Sequence, residues 1–176
     1  MALKPYKTLL RDAQEEFIVN KSRFIGHGRP CETEEEALAF LSEMRSKYKD
    51  ATHNCYAYII GPNMGVMRYS DDGEPGGTAG MPIIEVMKAR GVTNCAVVVT
   101  RYFGGILLGA GGLVRAYSQG AAVALNACGV GMMHPTARYL VYGHVHQEYG
   151  ALGFVRERKY CETTCVNAYK RYVFEF

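Results

Sequence analysis

Two glycine-rich segments hold most of the residues able to handle a charged ligand. The first, SDDGEPGGTAG over Ser70–Gly80, groups the carboxylates of Asp71, Asp72 and Glu74 with the Thr78 hydroxyl and the amides of Gly76 and Gly77. The second, RYFGGILLGAGG over Arg101–Gly112, opens on a guanidinium, contains Gly104, Gly105, Gly111 and Gly112, and is followed by Arg115. Each segment feeds an apolar helical pattern. Free N–H groups at a helix start, with the dipole behind them, attract anions, and glycine lets a phosphate approach the backbone. Arg101 and Arg115 flank the second loop and can add charge-assisted bonds. With Arg68 and Tyr102 they complete a candidate anion-binding set. The competing reading is that the glycines serve turns and close packing.

The acid cluster points to two other chemistries. Asp71, Asp72 and Glu74 could act as a general base or hold a hard cation beside the anion site, although their spacing is not that of a calcium loop. A solvated turn with Asp capping backbone amides is the plainer alternative. His53, on an apolar run, is either a further catalytic candidate or a hydrogen-bonded core residue. The glycine loops match neither the P-loop nor the dinucleotide fingerprint, and no Ser-His-Asp, Cys-His or Gly-x-Ser-x-Gly arrangement stands out. Cys161 and Cys165 with His144 and His146 lack a recognised zinc spacing. No metal and no cofactor is expected.

Tyr56, Tyr58, Tyr69, Tyr102, Phe103 and Tyr117 accompany Arg68, Arg101 and Arg115. Such a mixture on a sheet can stack single-stranded bases, while tyrosines on strands also pack as half-buried core.

The elements that would position these groups read as follows. Glu16–Gly26 is rich in β-branched and aromatic residues and predicts one strand. Thr33 followed by Glu34, Glu35 and Glu36 is a capping box, and Ala37, Phe40, Leu41, Met44 and Tyr48 continue it at helical spacing. His53–Ile60 and Val66–Tyr69, separated by Gly61-Pro62-Asn63, predict a hairpin. A helix follows around Pro82 and ends at Gly91. Asn94–Thr100 is almost wholly apolar, as a strand buried on both faces should be. A small-residue helix runs from about Leu113 to Cys128. Gly129–Pro135 reads as a boundary between residues 1–130 and a second unit, 136–176. There Tyr139–His146, Tyr160–Cys165 and Lys170–Phe176 predict strands and Gln147–Arg158 a helix. That β-α-β-β unit is too small for an independent core, and its free edge makes self-association into a homo-oligomer plausible.

Composition bounds the classes. The 176 residues are 48% hydrophobic and 21% charged with a formal charge of +3, which suits one or two globular domains and excludes a basic nucleic-acid arm. Six cysteines scattered through core-like segments fit reduced thiols and a cytoplasmic location. No signal peptide and no membrane-spanning run is read.

YSDDGEPGGTAGMPIIEV at Tyr69–Val86 and VVVTRYFGGILLGAGGLVRAYSQGA at Val97–Ala121, with HNCYAYIIG and KSRFIG, resemble the IMPACT/YigZ family over about residues 16–130. The resemblance implies an α+β chain. Its first domain would have the fold of domain 2 of ribosomal protein S5, seen also in elongation factor G and GHMP-type kinases. Its second would be a ferredoxin-like unit like the last domain of elongation factor G, stopping here after the third strand. Eukaryotic relatives carry an extra RWD domain and act in translational control through a protein partner. The leading expectation is therefore a translation-associated protein contacting RNA, the ribosome or another phosphate-bearing partner through the Arg-flanked glycine groove. An enzyme of small anionic metabolites using the acid cluster, and a protein–protein module, stay open.

Overall fold

The computed structural model describes residues 5–134, 138–143, 162–166 and 169–175. The chain divides into two compact units, Met1–Met133 and His134–Phe176.

The first unit contains β1 (Tyr6–Leu9), β2 (Ala13–Val19), β3 (Ser22–Pro30), α1 (Glu34–Lys47), β4 (His53–Ile60), β5 (Val66–Ser70), α2 (Gly80–Arg90), β6 (Cys95–Tyr102), α3 (Gly109–Cys128) and β7 (Val130–Met133). Its main sheet runs β2-β3-β6-β4-β5, with every neighbouring pair antiparallel. The apolar run of β6 is central and buried on both faces because successive side chains point to opposite sides. Ala96 and Val98 meet Ala37, Phe40, Leu41 and Met44 of α1. Val97 and Val99 face Ile83 and Met87 of α2 and Tyr117, Ala121 and Leu125 of α3. One helix thus covers one face and two cover the other.

Local sequence explains most element ends. Thr33 caps α1 by accepting from the Glu36 N–H at 3.3 Å, and the Glu36 carboxylate accepts from the Glu32 amide at 2.7 Å. Gly91 closes α2 in the left-handed region with φ 67°. The expected single strand over Glu16–Gly26 is instead the β2–β3 hairpin. Asn20 and Lys21 turn it with φ 46° and 63°, the pair of positive angles a tight hairpin of matching twist demands. Strands β1 and β7, which pair with each other from Tyr6↔Met133 to Leu9↔Val130, were not anticipated. The third helix starts at Gly109, four residues before its expected start.

Two glycines let α3 lie close to the sheet. A Cβ on Gly120 would sit 2.7 Å from Val99 Cγ1, and one on Gly26 would collide with the Gly120 carbonyl. The packing reading of the glycines therefore holds at mid-helix.

The second unit shows β8 (Arg138–Gly143), β9 (Glu162–Val166) and β10 (Tyr169–Glu175) in the antiparallel order β8-β10-β9. The helix expected over Gln147–Arg158, and His144, His146 and Cys161, lie outside the described residues. The chain is thus a mixed α/β protein built on antiparallel sheets. Cys31, Cys55, Cys95 and Cys128 are free and buried. Among the described residues no helix is long and apolar enough to cross a membrane.

Candidate functional site

The acid cluster sits where β5 hands over to α2, and each carboxylate has its own partner. Asp71 Oδ2 accepts from the Gly77 N–H at 2.9 Å, while Oδ1 accepts from Ala79 and Gly80 at 3.0 and 2.8 Å. The anion seat at the start of α2 is therefore filled by the protein's own side chain. Asp72 Oδ2 accepts from the Asn54 amide at 2.6 Å, with φ 45° at Asp72 turning the chain back over β4. The Thr78 hydroxyl donates to the Pro75 carbonyl at 2.6 Å. These contacts correct the expectation that Gly77 and Thr78 offer free donors. Gly76 remains exposed.

Glu74 is buried and collects two donors on one oxygen. Arg101 Nη1 and the Tyr117 hydroxyl donate to Oε1 at 2.6 and 2.7 Å, and His53 Nε2 lies 3.9 Å away. The Arg101 guanidinium lies between the rings of Phe24 and Phe103, 5.6 and 5.4 Å from their centroids, and its buried Nε has no partner among the described residues. Arg101 was expected to clamp an external phosphate; burial and Glu74 turn it inward instead. Burial, then the neighbouring Cys55 and Glu74, raise the Tyr117 phenol well above its ordinary range, so it stays a donor. Burial also pushes the Cys55 thiol up to about 12, and its Sγ lies 2.9 Å from the Asp71 carbonyl. His53 Nδ1 is 2.7 Å from the Asp72 carbonyl, which can only accept, so that nitrogen carries the proton.

The second loop differs. The start of α3 has Leu108 at its cap with no side-chain hydrogen bond and no acid in the first turn. Gly111 is exposed, Gly112 half-buried, and Arg115 Nη1 lies 3.7 Å from where a Gly111 Cβ would stand, so the guanidinium folds back along that turn. The ion pairs among the described residues join Arg23 to Glu16, Arg29 to Asp12 and Glu43, Arg101 to Glu74, and Lys88 to Glu85, leaving Arg115 out. Gly105 takes φ 84°, while the Gly104 N–H donates to Ser22 Oγ at 3.1 Å with the β2–β3 turn pressed against its Cα. The Tyr102 hydroxyl donates to Asp50 at 3.0 Å.

The structure thus gathers Asp71, Asp72, Glu74, His53 and Arg101 into one internally bonded knot and leaves Arg115 with the α3 amides open. Arg68 stands apart, paired across the strands with Tyr58 on the face that carries α1. Sequence reasoning missed Asn54, whose Oδ1 accepts from Thr100 Oγ1 at 2.7 Å and whose backbone takes Asp72. A polar residue inside an apolar strand was its only signal.

Comparison with known proteins adds four observations. Residues 20–125 match the model described as the Impact N-terminal domain. The chain is 44% identical over 152 residues, 83% of its length and 70% of the relative's, to "IMPACT family member YvyE" of Bacillus subtilis. It is 53% identical over 109 residues to "IMPACT family member in pol 5'region" of Thermus thermophilus, covering 62% of this chain and 58% of that one. A crystal structure of a hypothetical protein superposes with TM-score 0.71 at 32% identity over 98% of this chain and 84% of the other.

Proposed function

The chain belongs to the IMPACT family, and from that premise we propose that it is a cytoplasmic, translation-associated binding protein that contacts RNA, the ribosome or another phosphate-bearing partner. The observation that carries this reading is the open start of α3, where the Gly111 amide belongs to the uncapped first turn beside an Arg115 free of carboxylates among the described residues, while the Gly112 amide, four residues past the Leu108 cap, opens the helix's own hydrogen-bond ladder. A twenty-residue helix concentrates positive partial charge at that end. Gly104 and Gly105 set the loop, and Gly76, exposed in the first segment, is counted with the same binding set. The same proposal takes residues 1–130 as a domain like domain 2 of ribosomal protein S5 and 136–176 as a partial ferredoxin-like unit. The order β8-β10-β9, first strand beside last, supports the latter.

Binding is favoured over catalysis because Asp71, Asp72 and Glu74 are tied to backbone amides, or to Arg101 and Tyr117, in contacts that hold the fold together. A protein-docking reading has one observation of its own. Phe103, Ile106 and Leu107 in the β6–α3 loop are 44, 43 and 85% exposed, and apolar side chains grouped at a surface suit a protein partner.

Co-sedimentation of the full chain with ribosomes over a salt series tests these readings. Phosphate contact predicts association that weakens steeply with salt and is lost in Arg115→Glu. Association unaffected by salt and by Arg115→Glu, but abolished by Leu107→Ser, would replace it with the protein-docking reading.

A further inference from the structure

Helix α1 packs on β4 and β6, whereas β5 lies beyond it at the sheet's edge. A groove of about 520 Å³ opens beside the helix, lined by Leu38, Leu41, Arg45, Lys49 and Tyr56 together with Ser42 and Ser46. The helical positions 38, 42 and 45 recur at the spacing of one face, and Lys49 follows just past the cap at Tyr48. Arg68, outside the lining, stands on β5 on the same sheet face as its cross-strand partner Tyr58 and as Val66, which packs against the α1 cluster.

The floor is an aromatic stack. Tyr56 and Tyr58 are 6.2 Å apart and within 5° of parallel, and the Arg45 guanidinium covers Tyr56 at 5.6 Å. The Tyr58 hydroxyl donates to Glu34 at 2.6 Å, fixing the inner ring and engaging the acid nearest the groove. No carboxylate lines the cleft, and none of Arg45, Lys49 and Arg68 enters an ion pair among the described residues. A chain of formal charge +3 thus sets Arg45 and Lys49, with Arg68 further along the same face, beside a half-buried Tyr56 stacked on a buried Tyr58.

We propose that the groove between α1 and β5 binds single-stranded nucleic acid, a base stacking on the Tyr56–Arg45 layer while Lys49 and Arg68 pair with adjoining phosphates. The inference rests on the nucleic-acid reading above but not on Arg115. Any base has a face to stack, so the site is tolerant of sequence, and guanidinium adds to the stack. Lys49, just past the α1 C-cap, and Arg68 on β5 stand on separate elements, which suits successive phosphates of an extended strand better than a lone ion.

The test is binding of a labelled oligoadenylate RNA of roughly ten nucleotides to the full chain, over a salt series, with an oligoglutamate peptide and AMP as competitors. The double variant Arg45→Glu/Arg68→Glu should weaken binding by about tenfold or more and flatten the salt slope by about one unit, the Arg68 phosphate contact being lost with the Arg45 cover of the stack. Tyr56→Leu should weaken binding and leave the slope unchanged; if it fails to fold, the surface double variant decides alone. The proposal is overturned by absence of RNA binding in the parent protein, by undiminished binding in the double variant, or by oligoglutamate outcompeting the RNA. Displacement by AMP at equal concentration would overturn the extended strand in favour of a free nucleotide. Loss in Arg115→Glu with the double variant intact would remove this groove and keep the α3 site; the reverse would do the opposite.

Discussion

Arg101 Nη1 lies 2.6 Å from Glu74 Oε1, with the two side chains only 6 and 4% exposed. The pair ties the central strand β6 to the loop before α2, and Tyr117 brings α3 to the same oxygen. Removing one partner of a buried ion pair strands the other charge. Arg101→Leu should therefore cost about 3–5 kcal/mol in urea unfolding, and Tyr117→Phe about 1.5–3 kcal/mol. The double variant Glu74→Gln/Arg101→Met should be more stable than Arg101→Leu. An unchanged urea midpoint for Arg101→Leu would refute the pair's structural role.

Asp71 serves three amides at the entrance to α2. Asp71→Ala leaves them without an acceptor and should destabilise by about 1–3 kcal/mol, with Asp71→Asn intermediate because one amide oxygen replaces two. Hydrogen exchange localises the effect: the Ala79 and Gly80 amides should lose protection first, and uniform loss across the sheet would argue against the cap.

His27 sits in β3 beside the Tyr48 ring at 4.9 Å, with Nε2 unpartnered. Burial, then Lys47, pushes its pKa down to about 4. The unfolded chain takes up a proton near pH 6.5 that the fold refuses, so stability is full above that value. It falls by roughly 3 kcal/mol as pH drops to about 4. The difference in stability between the parent and His27→Gln should shrink or reverse across that window. A difference that is flat between pH 7 and pH 4 would dismiss the idea.

Close approach of α3 predicts that Gly120→Ala loses about 1–3 kcal/mol, since its methyl would meet Val99 at 2.7 Å. Gly26→Ala should cost more, because it meets the Gly120 carbonyl rather than a side chain that can turn. Thermal melts would rank the two, and the opposite ranking would show that the sheet yields more readily than the helix.

Local signals made much of the fold legible. The ends of β4, the Thr33 cap and the Gly91 stop all follow from neighbours a few residues apart. The hairpin at Asn20-Lys21 escaped notice because Lys at positive φ is uncommon and the flanking residues read as one continuous strand. The start of α3 was placed late because four residues, three of them glycines, suggested a loop, yet they form its first turn. The site was legible as a set of residues and not as an arrangement. Glu74 and Arg101 are 27 positions apart, and nothing local shows that their charges cancel inside the protein. Arg45 and Lys49 do not read as site residues in the sequence, because cations near the carboxyl end of a helix are ordinary until the sheet places Tyr56 beside them.

The pairing of β1 with β7 has an engineering corollary. Tyr6 faces Met133, so residues 5 and 134 leave from the same corner of the first unit. A short linker joining them, with new ends opened at the exposed Pro62-Asn63 turn, should give a circular permutant that keeps its main sheet, and the same adjacency allows this unit to be inserted whole into a surface loop of a host protein.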